Sequence, residues 1–302
     1  MQVFYWIFNM SITAAFTGLV VLLLRAIRKI PRRFVCFLWA IPFLRMLIPI
    51  GLNSRYSFMS LLSRFATKTV TVFAPISNVE FSMANYAGAA DSYFPITYKV
   101  NFLEQLFFAA SLVWMIVFLA IIMTLSALYI ATMRELKDAI PLRDNIYLSE
   151  KVQSPAVYGI CKPRIVLPLS YQEKDLDYVL AHERTHIRRG DNVWRIAAFF
   201  ITAIHWYQPL AWLFLKLFLA DTELACDECV ISKLDIEQRK RYARSLIACR
   251  EKPVVFASAF GGAKIRTRVE NILSFQQMTR FSVIAFSVFC LMLGYLLLTN
   301  AA

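Results

Sequence analysis

The sequence predicts an α-helical integral membrane protein with four transmembrane helices and a smaller α+β domain inserted between the third and the fourth. Three observations predict it. Apolar residues make up 59% of the 302 and the mean hydropathy is +0.54, above the roughly half-apolar composition of soluble domains. Four stretches are long and apolar enough to cross a hydrocarbon core of about 30 Å, which takes about 20 residues. Between the third and the fourth lies a charged segment with both β-prone runs and helical periodicity.

Residues 1–24 carry no charge. No basic segment precedes them and no small-residue cleavage site closes them, so they read as a retained anchor, spanning about 3–24, rather than a signal peptide. Arg25, Arg28, Lys29, Arg32 and Arg33 crowd the loop that follows. The second span, 34–52, is interrupted only by Arg45. A cation there costs at least about 2–3 kcal/mol on insertion scales, which predicts a partner or a wet cavity. Loop 53–104 is rich in Ser, Asn, Thr, Tyr and Phe and broken by Pro75 and Pro95, and the third span covers about 106–131. Residues 1–133 thus form the first membrane region, 134–280 the inserted domain and 281–302 the fourth span.

The net charge of +13 is unevenly placed. Of the Lys and Arg, 23 fall in 132–280, whereas 53–104 holds only Arg55, Arg64, Lys68 and Lys99. The positive-inside rule then puts the inserted domain in the cytoplasm, with both termini and 53–104 outside. Because 17 acidic residues are interspersed among those 23 cations and no nucleic-acid motif appears, no direct nucleic-acid partner is expected. Anionic lipid of the inner leaflet fits the charge better. The six cysteines, at 36, 161, 226, 229, 249 and 290, are scattered. Cys36 and Cys290 lie in spans and the others on the expected cytoplasmic side, where thiols stay reduced, so no disulfide framework is implied.

In the inserted domain, 145–148, 156–160 and 164–167 are β-prone, with Cys161-Lys162-Pro163 as a turn, which suggests a small antiparallel sheet or hairpin. A helix follows from about Asp175 to Arg189, with Gly190 as its terminator and Asp191 as N-cap of the next. Residues 196–215 are uncharged and long enough to cross the bilayer. A single crossing would separate the chemistry on either side of it. Two short interfacial helices broken near Pro209 are therefore preferred, with a re-entrant hairpin as the alternative. Arg239–Ile247 reads as an amphipathic helix, 252–263 as a loop, and Ile265–Phe275 as a short basic helix leading into the last span.

Two of the three histidines stand as His182-Glu183-Arg184-Thr185-His186. On a helix, positions i and i+4 share a face, so both imidazoles reach one ion with Glu183 beside it. Zinc takes two or three such nitrogens and a carboxylate, leaves one position for water and lowers its pKa toward 7, and Glu183 is placed as general base. A zincin-like domain hydrolysing peptide bonds is implied. The bland alternative is a helix with two incidental solvent-facing histidines. The metzincin extension fails, since Arg189 and Asn192 stand where its Gly and third His belong. A third ligand is offered by the run Asp221-Thr-Glu223-Leu-Ala-Cys-Asp227-Glu228. Spacing leaves Asp221, Glu223 and Asp227 open as the metal-binding acid. Glu223 and Asp227 are four apart, so one can bind metal while the other holds an imidazole N–H. Cys226-Asp-Glu-Cys229 lacks the second pair that a zinc ribbon needs and reads as structural thiols. His205 reads as a packing histidine. Runs 156–167 serve either as an edge strand holding an extended substrate or as a brace for the helix. Tyr158, Arg195 and Tyr242 are the candidates for stabilising a tetrahedral intermediate, with nothing in the sequence to choose among them.

Several segments together resemble a known family: Ser154-Pro-Ala-Val-Tyr-Gly-Ile-Cys-Lys-Pro-Arg-Ile-Val-Leu-Pro168, His182-Glu-Arg-Thr-His186 followed by Arg189-Gly-Asp191, His205-Trp-Tyr-Gln-Pro209, Glu223-Leu-Ala-Cys-Asp227 and Arg266-Thr-Arg-Val-Glu-Asn-Ile-Leu273. The sequence resembles the membrane metallopeptidase part of the BlaR/MecR family, bacterial penicillin-sensing signal transducers of the gluzincin group. The resemblance implies one Zn2+ held by His182, His186 and Glu223, with Asp227 behind them, in a multi-pass protein of the bacterial inner membrane. It further implies regulated cleavage of a regulator protein, such as a transcriptional repressor, or of the chain itself near Lys264–Arg268. Penicillin-sensing members continue after the last span into a sensor, whereas this chain stops at Ala302, so antibiotic sensing is not carried over. A housekeeping quality-control protease and a non-catalytic, zinc-stabilised membrane transducer are the two rival expectations.

Overall fold

The structure, a computed structural model, describes residues 3–27, 30–48, 54, 56–57, 101–169, 176–248 and 263–299. Most of the expected loop 53–104 and nearly all of loop 252–263 lie outside the described residues. The chain is mostly helical. Helices α1 (Val3–Ala26), α2 (Arg32–Leu38), α3 (Ala40–Leu47) and α4 (Asn101–Glu135) come first, followed by strands β1 (Ile140–Arg143), β2 (Ile146–Ser149), β3 (Ala156–Tyr158) and β4 (Arg164–Pro168). Helices α5 (Leu176–Arg189), α6 (Asp191–Ile204), α7 (Pro209–Ile231), α8 (Ile236–Ala248), α9 (Ile265–Leu273) and α10 (Arg280–Leu298) complete the order.

Among the described residues, three helices are long and apolar enough to cross a membrane: Val3–Ala26, Gln105–Asp138 and Arg280–Leu298. The expected second span differs from the other three. It is two helices, α2 and α3, of 7 and 8 residues. Pro42 has no N–H to give the Leu38 carbonyl, which accounts for an interruption at this point. Residues 49–52, its expected outer end, lie outside the described residues.

Helix α1 is the most buried of the three long helices. Its inward face is small and polar, with Ser11, Thr13, Ala14, Thr17 and Gly18 all buried, the composition that lets membrane helices approach closely. At Gly18 an added Cβ would overlap the Phe214 ring of α7. Arg45 has found its partner in backbone. Its Nε donates to the Leu297 carbonyl at 3.0 Å and its Nη2 to that of Thr299 at 2.7 Å, at the end of α10 where the macrodipole is negative. His205 is buried, between the Met46 carbonyl at 2.9 Å and Ser11 Oγ at 2.7 Å.

The sheet is mixed, not simply antiparallel. Its order is β1-β2-β4-β3, with β2 and β4 parallel and the outer pairs antiparallel. Strand β1 is only four residues long. All four of its residues are exposed, and it contains Pro141 beside a register shift, as suits an edge strand. Ile146, Ile165 and Leu167 face the other way, packing on Val179 and Leu180 of α5. The sheet therefore fixes the back of the helix that carries His182 and His186.

Helices α6 and α7 double back on each other around residues 205–208, with Pro209 opening α7. Their hairpin returns the acidic end of α7 to α5. On its other side α7 holds the loop between α1 and α2. Asp221, fully buried, accepts from Arg25 Nε at 2.8 Å and Trp39 Nε1 at 2.9 Å. Glu228 accepts from the Arg32 and Arg33 amides at 3.0 and 3.2 Å.

The close approach at Gly18 gives a direct test. Gly18→Ala overpacks the α1–α7 contact, which costs about 1–3 kcal/mol, and a lowered midpoint of thermal unfolding in detergent is expected. Gly294→Ala inside α10, whose Cβ meets nothing within 4 Å, is the control expected not to lower the midpoint, since Ala favours a helix over Gly.

Candidate metal centre

The centre starts from a helical repeat. His182 and His186 lie four apart on α5, both buried, and their Nε2 atoms are 3.1 Å apart. The α6–α7 hairpin brings Glu223 to the same two atoms. Its Oε2 is 3.5 Å from His182 Nε2 and its Oε1 is 3.6 Å from His186 Nε2. Donors around a tetrahedral ion with bonds of about 2.0–2.1 Å stand roughly 3.3 Å apart. The residues therefore fit a small divalent ion. Cys226, one turn further along α7, is also close, with Sγ 3.5 Å from His182 Nδ1. His182, His186 and Cys226 each offer a ligand atom within 4.8 Å of one another. Two overlapping donor sets thus share both imidazoles.

Behind these groups lies a second ring of contacts. His186 Nδ1 is 2.6 Å from Asp191, which also meets Arg189 Nε at 3.3 Å. His182 Nδ1 is 2.9 Å from the Tyr242 hydroxyl and 3.3 Å from Asp227, and Tyr242 donates to Asp227 at 2.6 Å. Arg268 donates to both Asp227 oxygens, from Nε at 2.8 Å and Nη2 at 2.9 Å, and its Nη1 is 3.6 Å from Glu223 Oε2. Arg195 Nη2 contacts Glu223 Oε1.

Charge is closely matched in this pocket. Burial opposes protonation of His182, but Cys226 and Tyr242, against Arg268 and helped by Asp227, hold it well above the ordinary histidine value. His186 is raised likewise, where Glu223, Cys226 and Asp191 outweigh burial. Burial would raise Glu223, yet His186, His182 and Arg195 bring it well below the ordinary carboxylate range. Asp227 is lowered despite burial, mainly by Arg268. Glu183 is buried on α5 between the two histidines in sequence. Its charge adds to burial in raising the Tyr158 phenol on the edge strand β3. Asn192 at the start of α6 pins that strand to the site, donating to the Val157 and Gly159 carbonyls at 3.2 and 3.1 Å.

The structure gathers His182, Glu223, His186 and Asp227 in one cluster, with Glu183 on the same helix. Asp221, the other acid left open by spacing, is on the opposite side of α7 with Arg25 and Trp39. Asp191 does not cap. Gly190, at φ 67°, is the N-cap of α6, so Asp191 falls in the first turn and its carboxylate turns to His186. Cys226, read as a structural thiol, is beside His182, and its thiol is lowered by the two imidazoles against burial. Arg268 gave no local signal, being 41 residues from Asp227.

An ion on these imidazoles must displace the protons that the surrounding acids favour. With both histidines raised, apparent metal affinity is expected to fall as pH drops, beginning above the ordinary histidine value. The fall should be about tenfold per pH unit for each proton displaced. Competition with a chromophoric chelator at stepped pH measures this.

The family described as BlaR1 peptidase M56 matches residues 5–272. The chain is 26% identical over 152 residues to the regulatory protein BlaR1 of Bacillus licheniformis, covering 46% of this chain and 25% of that protein. It is 27% identical over 108 residues to the methicillin resistance mecR1 protein of Staphylococcus aureus, covering 34% and 18% respectively. The matches thus span a quarter or less of these relatives' own length. The family match runs from the first residues of α1 to the end of α9, through every element of the metal centre, and the chain belongs to the BlaR1 peptidase M56 family, which implies a membrane metallopeptidase.

Proposed function

We propose that the chain is a membrane-embedded zinc metalloendopeptidase with a gluzincin-type site, in which His182, His186 and Glu223 hold the ion and Glu183 is the general base. The observation that carries this reading is the approach of two Nε2 atoms and one carboxylate to 3.1, 3.5 and 3.6 Å. Two nitrogens and an oxygen are a donor set suited to zinc. Asp227 and Asp191 orient the imidazoles from their far nitrogens, as outer partners of ligating histidines commonly do. The architecture proposed is a membrane region over 1–133, a metallopeptidase domain over 134–280 and a last span over 281–302. Helices α2 and α3 make up the second of four crossing segments, and 196–215 stays at the membrane interface. The distribution of Lys and Arg favours a cytoplasmic site in the bacterial inner membrane.

A bound ion supplies Lewis acidity, lowering the pKa of water toward 7 and polarising the scissile carbonyl. Glu183 takes a proton from the attacking water as its oxygen bonds to the carbonyl carbon. Glu183 then gives that proton to the amide nitrogen, and the C–N bond breaks to leave an acid and an amine. Strand β3 at the sheet edge offers backbone groups to an extended substrate, and Asn192 fixes its position. The names of the relatives, a regulatory protein and a methicillin resistance protein, favour a signalling role. Cleavage of a regulator such as a transcriptional repressor, or of the chain itself near Lys264–Arg268, is the reaction proposed.

Glu183→Gln is expected to keep its metal and lower peptide hydrolysis by about 10²–10⁴-fold. Metal analysis with a peptidase assay checks it, and full activity in the variant would leave only a structural role for the ion. Cys226 offers a rival third ligand. Changing an outer partner of a ligand weakens metal binding about 10–100-fold, so Glu223→Ala should exceed that loss and Cys226→Ser should stay below it. The reverse order would exchange their roles.

A further inference from the structure

Peptide hydrolysis puts negative charge on the carbonyl oxygen of the substrate, and a preorganised donor for that oxygen is often the largest single catalytic contribution. The site has several candidates, and the structure separates them by how each spends its hydrogen bonds. Tyr242 is fully buried and gives its one hydroxyl proton to Asp227. Arg268 is 5% exposed, and both Asp227 oxygens clasp its guanidinium. Arg189 also has a buried nitrogen without a partner among the described residues, but its contacts, Asp191 at 3.3 Å and Cys36 Sγ at 3.6 Å, put it on the Nδ1 side of His186, away from Glu223 at Nε2. Tyr158 lines a cavity with Tyr147, Arg164 and Val166, from the face of the sheet opposite the one that packs on α5. It makes no hydrogen bond or ring contact with Glu223 or either histidine among the described residues, though its phenol feels the Glu183 charge.

Arg195 differs from all of these. It stands one turn after Asp191 on α6, and its side chain is 30% exposed where that of Arg268 is 5%. One terminal nitrogen contacts Glu223 Oε1, which puts the guanidinium at the metal-binding carboxylate. Its Nε is buried and donates to no acceptor among the described residues. The Glu223 carboxylate is shared with His182 at 3.5 Å, His186 at 3.6 Å and Arg268 at 3.6 Å, so it does not match the Arg195 charge alone. A half-buried cation with an unused donor, open on one side and touching a ligand, is what an incoming oxyanion requires.

We infer that Arg195 is a catalytic residue, whose guanidinium receives the negative charge that develops on the scissile carbonyl oxygen. The inference rests on the peptidase reading above. As the water oxygen bonds to the carbonyl carbon, the C=O electron pair moves onto oxygen, and Arg195 N–H groups donate to it. When that pair returns and the C–N bond breaks, the proton held by Glu183 has passed to nitrogen. Arg195 keeps all its protons throughout, as an arginine does in proteins.

The test uses the full chain in detergent, a quenched fluorescent peptide selected on the wild type, and a phosphinic peptide whose tetrahedral anion mimics the intermediate. Arg195→Ala is expected to keep zinc at the wild-type stoichiometry and lower kcat about 10²–10³-fold, with KM changed much less. Its affinity for the phosphinic peptide should fall by a similar factor, and added guanidinium ion should restore part of kcat. Arg195→Lys, which keeps the charge, should lie between the two. Unchanged kcat and phosphinate affinity in Arg195→Ala would overturn the inference, as would loss of zinc, which would make Arg195 a positioning residue for Glu223. A wild-type chain that binds no zinc and cleaves no peptide would instead overturn the peptidase reading itself.

Discussion

Helix α7 carries four acids on two opposite faces, and the rest of the molecule is arranged around that constraint. Each residue advances about 100° around a helix. Asp221 and Glu228, seven apart, therefore share one face, and Glu223 and Asp227, four apart, share the other. The first face meets Arg25, Trp39 and the amides that open α2. The second meets His182, His186, Arg195 and Arg268. Charges in such surroundings persist only when paired and hydrogen-bonded. One helix thus binds the membrane hairpin to the metal centre, beside a direct link from Arg189 Nη2 to Cys36 Sγ at 3.6 Å among the described residues.

The same demand explains the depth of the centre. Two imidazoles, two carboxylates and a guanidinium are packed where water is scarce, and each is answered by another. Removing one partner from a buried pair leaves an uncompensated charge, at a cost of about 3–5 kcal/mol. The sheet does not take part in this exchange. It supplies a flat apolar back, through Ile146, Ile165 and Leu167 against Val179 and Leu180, and leaves β3 at its margin beside Glu183.

Much of the site was legible because it is local. His182, Glu183 and His186 fall within one turn and a half, and their spacing alone implies a shared ion. Glu223 was open to competition from Asp221 and Asp227 until the family resemblance chose it. Helical phase explains that ambiguity, since acids within seven residues cover every direction until a partner decides which way is inward. Asp191 was misread because an Asp after Gly at a helix start has the look of a cap, and only the left-handed conformation of Gly190 releases its side chain. Tyr242 and Arg268 reach Asp227 from 15 and 41 residues away, beyond any periodic signal. The second span looked continuous because hydropathy ignores Pro42. The parallel β2–β4 pair was hidden because the chain makes the intervening excursion into β3 without a helix.

Two buried arginines, Arg45 and Arg268, hold the last helices of the chain. Arg45 grips the final carbonyls of α10, and Arg268, on the helix leading into it, grips Asp227 behind His182. The two grips fall on different helices, joined by the non-helical residues 274–279. The last span is therefore joined at its far end to the second span, and the helix before it to the acid that holds His182.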